Sequence, residues 1–235
     1  MKYPFLENNE LVLINYPVGS SGQLLMRLWQ ELDSRIDVAY DSILTKHNPP
    51  EINFEVHIPK RISTWFFDRN QPTTTEEFAN FFEFLSTAII ARQNKKKFFE
   101  DVNYELQNEI VVYAIHWYDK IIPFEELKKK FNIRIVNLVS TNNASIEYAV
   151  KRANLFYGFT VDEWRPYVLN FNKIDFYESF NFVDHLVDNN QNEIFKWLQQ
   201  QLGKYYTETK ENYCRQILDT YYATVVKAIL NGSSR

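Results

Sequence analysis

The order of apolar and polar positions along the chain predicts strands that alternate with helices. Residues 11–17 are almost wholly apolar, as in a strand that is covered on both faces by helices. A Gly/Ser turn follows, and apolar residues at helical spacing then continue to about Arg35. Two later apolar runs predict strands and two further segments predict helices: 109–118 and 133–139, then 123–131 and about 144–156. This alternation favours an α/β domain with a parallel sheet.

Other stretches of the chain predict an insertion and a helical C-terminal part. The prolines of residues 41–72 predict an irregular insertion that would cap a pocket. A capping-box spacing at 73–76 begins a helix that extends to the lysines at 95–97. Residues 178–230 form a mainly helical part, with Gly203 as a helix stop and a long amphipathic last helix. Without internal repeats or linkers, residues 1–235 are expected to form one domain.

Charge and cysteine content narrow the classes of partner. The formal net charge is −4 and no basic stripe is present, which disfavours nucleic acid. The single cysteine, Cys214, rules out an internal disulfide and a CxxC zinc site. No apolar run reaches 18 residues, so we expect a cytoplasmic protein with no membrane partner. Three of the histidines, His47, His57 and His185, lack the spacing of metal ligands, and no metal site is predicted.

The turn at residues 17–23 carries the first candidate chemistry. Gly19 and Gly22 lie in it with Ser20 and Ser21, and Gln23 opens the helix. Free N–H groups at a helix N-terminus, with the positive end of its dipole, suit a phosphate or sulfate. No lysine follows Gly22, so this is not a Walker A loop, and the third glycine of a dinucleotide fingerprint is missing. A purely structural strand-to-helix turn is an equally good interpretation.

Two more polar positions follow predicted strands. His116 comes at the end of an apolar strand, where an imidazole would act as a base on an acceptor hydroxyl or simply hydrogen-bond at a sheet edge. Ser140, Asn142 and Asn143 follow the next strand and precede a helix. They would either contact an anion or merely cap that helix.

Taken together, three segments resemble the sulfotransferase family: the loop 17–23, the strand 113–118 that ends near His116, and residues 133–145. The resemblance implies a three-layer, P-loop-like parallel sheet with helices on both faces. It implies transfer of a sulfuryl group from 3′-phosphoadenylyl sulfate to the hydroxyl of a small molecule or glycan. His116 would be the catalytic base, and two groups of residues would hold the donor: Gly19, Ser20, Ser21, Gly22 and Gln23, then Ser140, Asn142 and Asn143.

The chain departs from the family pattern where positive charge is expected. Val18 stands where the family has a lysine or arginine, Ser140 stands where it has an arginine, and Tyr148 replaces a later serine. A leaving group with several negative charges needs cations, and Arg27, Lys151 or Arg152 would have to supply them. The alternative is a non-catalytic protein of the same fold that binds a nucleotide, an anion or a partner. A nucleotide kinase is disfavoured because the P-loop lysine is missing.

Overall fold

The computed structural model describes residues 10–34, 110–115, 132–173 and 178–232. These residues contain four strands, which pair in parallel in the order β2-β1-β3-β4. Their bounds are β1 Glu10–Asn15, β2 Ile110–Ile115, β3 Ile133–Leu138 and β4 Glu178–Phe180. The predicted α/β class with a parallel sheet is therefore confirmed in the described part of the chain.

The register brings the carboxyl ends of three strands to one edge. Asn15 is paired with Ile115 on one side and with Asn137 on the other. The strand that follows β1 in the chain, β2, lies on one side of β1 in the sheet. The strand that follows β3, β4, lies on the opposite side of β3. The crevice between the carboxyl ends of β1 and β3 is thus a topological switch point, where open α/β sheets bind ligands.

Helices make up most of the remaining described chain. They are α1 Gly22–Leu32, α2 Asn143–Tyr157, α3 Val161–Phe171, α4 Phe182–Val187, α5 Gln191–Leu202, α6 Glu211–Tyr221 and α7 Lys227–Leu230. Two short 3₁₀ turns, Gly203–Tyr205 and Glu208–Lys210, precede α6. A π-helical segment, Tyr222–Val226, joins α6 to α7, so the predicted long last helix is continuous but locally widened.

Two elements were not predicted from the sequence. Helix α3 contains Pro166, which removes one backbone donor and weakens the helical signal. Strand β4 has three residues and exists through its pairing with β3, where Leu138 lies opposite Phe180. The expected insertion at 41–72, the helices at 73–97 and 123–131, and His116 lie outside the described residues.

The apolar faces of the helices form two clusters. The larger joins the sheet with α1, α4, α5 and α6, and Trp29 and Phe182 are fully buried in it. The smaller lies between α2 and α3, around Ala149 and Trp164, and Val18 packs against it. Val18, at the position where a cation was expected, therefore serves apolar packing. In the described part of the chain no helix is both long and apolar enough to cross a membrane.

Candidate functional site

The serine turn, residues Gly19–Gln23, connects β1 to α1 at the switch point. The N–H of Ser20 donates to the carbonyl of Pro17 at 3.0 Å, and Ser21 takes the left-handed conformation with φ 57° just before α1 begins. The backbone N–H groups of Ser21, Gly22 and Gln23 donate to no acceptor among the described residues. The first N–H groups of α1 thus lack an acceptor within the described structure, at the positive end of the helix dipole.

Ser20 is the most deeply buried polar residue of the turn. Its side chain is 0 % exposed, and its Oγ atom has no hydrogen-bond partner in the described structure. A buried hydroxyl without a partner costs about 1–3 kcal/mol. Such a group in a turn of unbonded N–H donors is the feature that most clearly suggests an external acceptor.

Ser21 belongs to a closed set of three hydroxyls, the hydroxyl triangle. Its Oγ lies 2.8 Å from the hydroxyl of Tyr148 and 2.8 Å from that of Tyr221, which are 3.2 Å from each other. Three hydroxyls carry three protons, so each can donate once and accept once around the triangle. Burial and the neighbouring Tyr221 raise the pKa of Tyr148 well above its usual range, so its hydroxyl keeps its proton.

Packing explains both glycines of the serine turn. Gly19 has φ +99°, and a Cβ atom there would lie 2.1 Å from the carbonyl oxygen of Ala149 in α2. A Cβ on Gly22 would lie 2.1 Å from the ring of Tyr16. Val18, which precedes Gly19, is held by the indole N–H of Trp164, which donates to its carbonyl at 2.9 Å. The glycines therefore serve close packing, which is what the structural interpretation of this turn requires.

Arg152 brings a positive charge to the same region from α2. It lies one helical turn after Tyr148, on the same face of the helix. Its Nε atom is buried without a hydrogen-bond partner, and its guanidinium lies 5.3 Å from the ring of Phe156. Burial alone would lower the pKa of Arg152, but the surrounding tyrosine hydroxyls, above all those of Tyr221 and Tyr148, raise it, so the group stays charged.

The other two candidate cations, Arg27 and Lys151, differ in their ion pairing. Arg27 pairs with Glu31 one turn further along α1, so its charge is already neutralised. Lys151 is partly buried in α2 next to Arg152 and forms no ion pair within the described residues. Arg152 likewise forms no ion pair there, and two tyrosines of the hydroxyl triangle, Tyr221 and Tyr148, raise its pKa.

The segment after β3 is held by its own hydrogen bonds. At the end of the strands, the buried side chain of Asn15 donates to that of Asn137 at 2.9 Å. The N–H of Ser140 donates to Oδ1 of Asn172 at 3.0 Å, and the amide of Asn172 donates back to the Ser140 carbonyl. The Oγ of Ser140 is buried and has no partner within the described structure.

The carboxylate of Asp184 lies against the residues directly before α2. The carboxylate of Asp184 accepts from the N–H of Thr141 at 3.0 and 3.1 Å, from the Thr141 hydroxyl, and weakly from the N–H of Asn142 at 3.5 Å. The side chain of Asn142 caps α2 by accepting from the N–H and hydroxyl of Ser145, both at 2.8 Å. Asn143 is exposed at the first position of the helix.

The predicted site residues thus meet only in part. The structure brings the serine turn and the segment from Ser140 to Asn143 to neighbouring strand ends. His116 lies outside the described residues, although Ile115, the last residue of β2, is paired with Asn15. His185 packs its ring 5.7 Å from that of Phe180, and no group of three potential metal ligands occurs in the described ranges.

Sequence reasoning missed the residues that fill the site. Tyr221 belongs to the apolar pattern of the last helix, and Asp184 lies in a short helix without any motif. Nothing local marks either residue, because their partners are 200 and 43 residues away. Comparison of the chain with protein-family models, with curated proteins and with solved structures gives no match. The resemblance to sulfotransferases therefore stays a prediction.

Proposed function

We propose that this chain binds a phosphate or sulfate group at the serine turn, without catalysing a transfer reaction. The observation that carries the proposal is the buried, unpartnered hydroxyl of Ser20 beside the unbonded N–H groups of Ser21, Gly22 and Gln23. Each oxygen of a phosphate or sulfate accepts more than one hydrogen bond, so one such group would satisfy all these donors together.

Charge supports an anion as the ligand. Arg152 is a cation without an ion pair in the described structure, and the hydroxyls of Tyr221 and Tyr148 are close enough to raise its pKa. Those tyrosines hydrogen-bond to Ser21 in the serine turn. An anion there would neutralise Arg152 and interact favourably with the dipole of α1.

The occupied positions favour binding over transfer. Val18 packs in an apolar cluster, and the hydroxyls of Tyr148 and Tyr221 cover Ser21. The carboxylate of Asp184 accepts from the amides of Thr141 and Asn142 directly before α2, the segment where the sulfotransferase resemblance would put a phosphate of the donor. Stabilising a charged leaving group needs several cations. Here Val18 stands in place of one expected cation, and Arg27 is paired with Glu31. A three-layer, P-loop-like arrangement of the whole chain is part of this proposal.

Sulfuryl transfer from 3′-phosphoadenylyl sulfate to a hydroxyl is the second candidate. It is favoured by the pairing of Ile115 with Asn15, because the strand that precedes His116 ends at the same sheet edge as β1. Incubation with the donor and a panel of hydroxyl compounds tests it. Release of 3′-phosphoadenosine 5′-phosphate that disappears in His116→Ala would favour the transferase, and no release would favour the binding protein.

Ser20→Ala tests the proposed binding directly. Removal of an unsatisfied buried hydroxyl should leave the ligand-free protein as stable as before or slightly more stable. In wild type, phosphate and sulfate should raise the melting temperature by mass action, and Ser20→Ala should lose most of that rise. Ser179→Ala, at an exposed position of β4, is the control and should behave as wild type.

Both anions also stabilise proteins by being excluded from their surfaces, so each variant is compared with wild type in the same buffer. Isothermal titration calorimetry then gives the affinity itself. A wild-type protein that binds neither anion, or a Ser20→Ala variant that binds as tightly as wild type, would overturn the proposal.

A further inference from the structure

We infer that Asp184 limits the ligand of the serine turn to a single phosphate or sulfate group. This inference rests on the proposed binding at that turn. Two helix N-termini, those of α1 and α2, follow the adjacent strands β1 and β3 at the switch point. The N–H groups of Ser21, Gly22 and Gln23 at the first have no acceptor in the described structure. Directly before the second, the carboxylate of Asp184 accepts from the N–H of Thr141 and, weakly, from that of Asn142.

Asp184 is held in this position from two sides. Its helix α4 packs in the larger core cluster through the buried side chains of Phe182 and Val183. Its carboxylate is itself buried and accepts hydrogen bonds from the backbone and hydroxyl of Thr141. Within the described residues it forms no ion pair, so the amides and the dipole of α2 stabilise its charge.

The carboxylate of Asp184 uses hydrogen-bond donors that a second phosphate bound beside α2 would need. A ligand with two phosphates would lose the Thr141 and Asn142 donors and would also bring negative charge towards Asp184. A ligand with one phosphate meets neither penalty. The ligand class that follows is a monophosphate or monosulfate, whether inorganic or attached to a larger molecule.

Two pairs of ligands test the inference on the intact chain: inorganic phosphate with pyrophosphate, and adenosine 5′-phosphate with 3′-phosphoadenosine 5′-phosphate. In each pair the second compound adds one phosphate. Calorimetry on wild type should give at least about tenfold weaker binding for the compound with the extra phosphate, as expected for an uncompensated like charge. If neither nucleotide binds, the comparison of inorganic phosphate with pyrophosphate alone tests the inference.

Asp184→Asn removes the charge but keeps an oxygen that can accept from Thr141. It should reduce the discrimination between the two members of a pair to about twofold, with little change for the monophosphate. Asp188→Asn, at an exposed position that follows α4, is the matched control and should keep the wild-type discrimination. If Asp184→Asn does not fold, the wild-type discrimination is measured against salt and should shrink as ionic strength rises.

The outcomes separate the inference from the proposed function. A wild-type protein that does not bind phosphate overturns both. A protein that binds both members of a pair equally well retains the proposed function and overturns the role of Asp184. The same holds if Asp184→Asn folds and keeps the full discrimination, or if salt leaves the wild-type discrimination unchanged.

Discussion

The hydroxyl of Tyr221 lies 2.8 Å from the Oγ of Ser21, although 200 residues separate them in the chain. Tyr148 completes the hydroxyl triangle from α2. A π-helical segment begins at Tyr222, directly after the residue that makes this contact, and such segments frequently lie at functional sites. The last helix is therefore joined through one hydrogen bond to the turn that follows the first strand.

Tyr221→Phe should lower the free energy of unfolding by about 1–2 kcal/mol, because Ser21 and Tyr148 would lose a buried partner. Urea denaturation followed by circular dichroism measures the change. Tyr213→Phe removes an exposed hydroxyl and should change stability by less than about 0.5 kcal/mol. Equal stability of both variants and wild type would show that the hydroxyl triangle does not contribute to stability.

Gly19→Ala should cost about 3 kcal/mol or more, because it adds a left-handed backbone penalty to an overlap with the Ala149 carbonyl. Gly158→Ala is the matched control, since Gly158 also has positive φ, +75°, but no atom lies within 4 Å of the added Cβ. The control should cost only about 1 kcal/mol. Similar losses in the two variants would contradict the close packing of α2 on the serine turn.

Alkaline pH should destabilise the protein because the hydroxyl of Tyr148 and the thiol of Cys214 are buried in the folded state. Burial, then the nearby Glu31, raise the pKa of Cys214 to about 12, and burial raises that of Tyr148. In the unfolded chain the thiol and the hydroxyl titrate at about pH 8.5 and 10, so above these values the folded state binds more protons. The free energy of unfolding is then fully retained below about pH 8.5 and falls as pH rises.

The fall should approach about 1.4 kcal/mol per pH unit for each group that is ionised only in the unfolded state. Denaturation curves recorded between about pH 8 and 11 measure it. Tyr148→Phe should show a shallower fall above about pH 10 than wild type. An unchanged slope in this variant would mean that Tyr148 ionises equally in both states.

Arg152→Met should weaken phosphate binding by about 10- to 100-fold, because a charge-assisted hydrogen-bonding group is lost. The ligand-free protein should stay folded with little loss of stability, since an unpaired and partly buried cation contributes little to it. Lys151→Met changes the neighbouring charge and should weaken binding by less than about threefold. Calorimetry measures the phosphate affinity of both variants. Equal losses of affinity would contradict a specific contact of Arg152 and would indicate that only the total charge matters.

Local patterns in the sequence were enough to predict the parallel α/β core. The structure confirms the strands predicted from apolar runs, β1, β2 and β3, and the helices predicted from periodicity, α1, α2 and the last helix. Each of these patterns involves only residues that are close together in the chain. Gly19 and Gly22 marked the serine turn because turns favour glycine. Strand β4 and helix α3 escaped prediction, since one depends on pairing with β3 and the other contains Pro166.

The sequence by itself determined strands β1 to β3, helices α1 and α2, the last helix and the position of the serine turn. Hydrophobic periodicity and turn chemistry act over a few residues, so local patterns are enough for these elements. The tertiary structure alone decided what surrounds that turn. It brought Tyr148 and Tyr221 to Ser21 and Asp184 to Thr141, contacts that join residues 127, 200 and 43 positions apart. Hydrogen bonds over such distances depend on how the helices pack on the sheet, which no local pattern encodes.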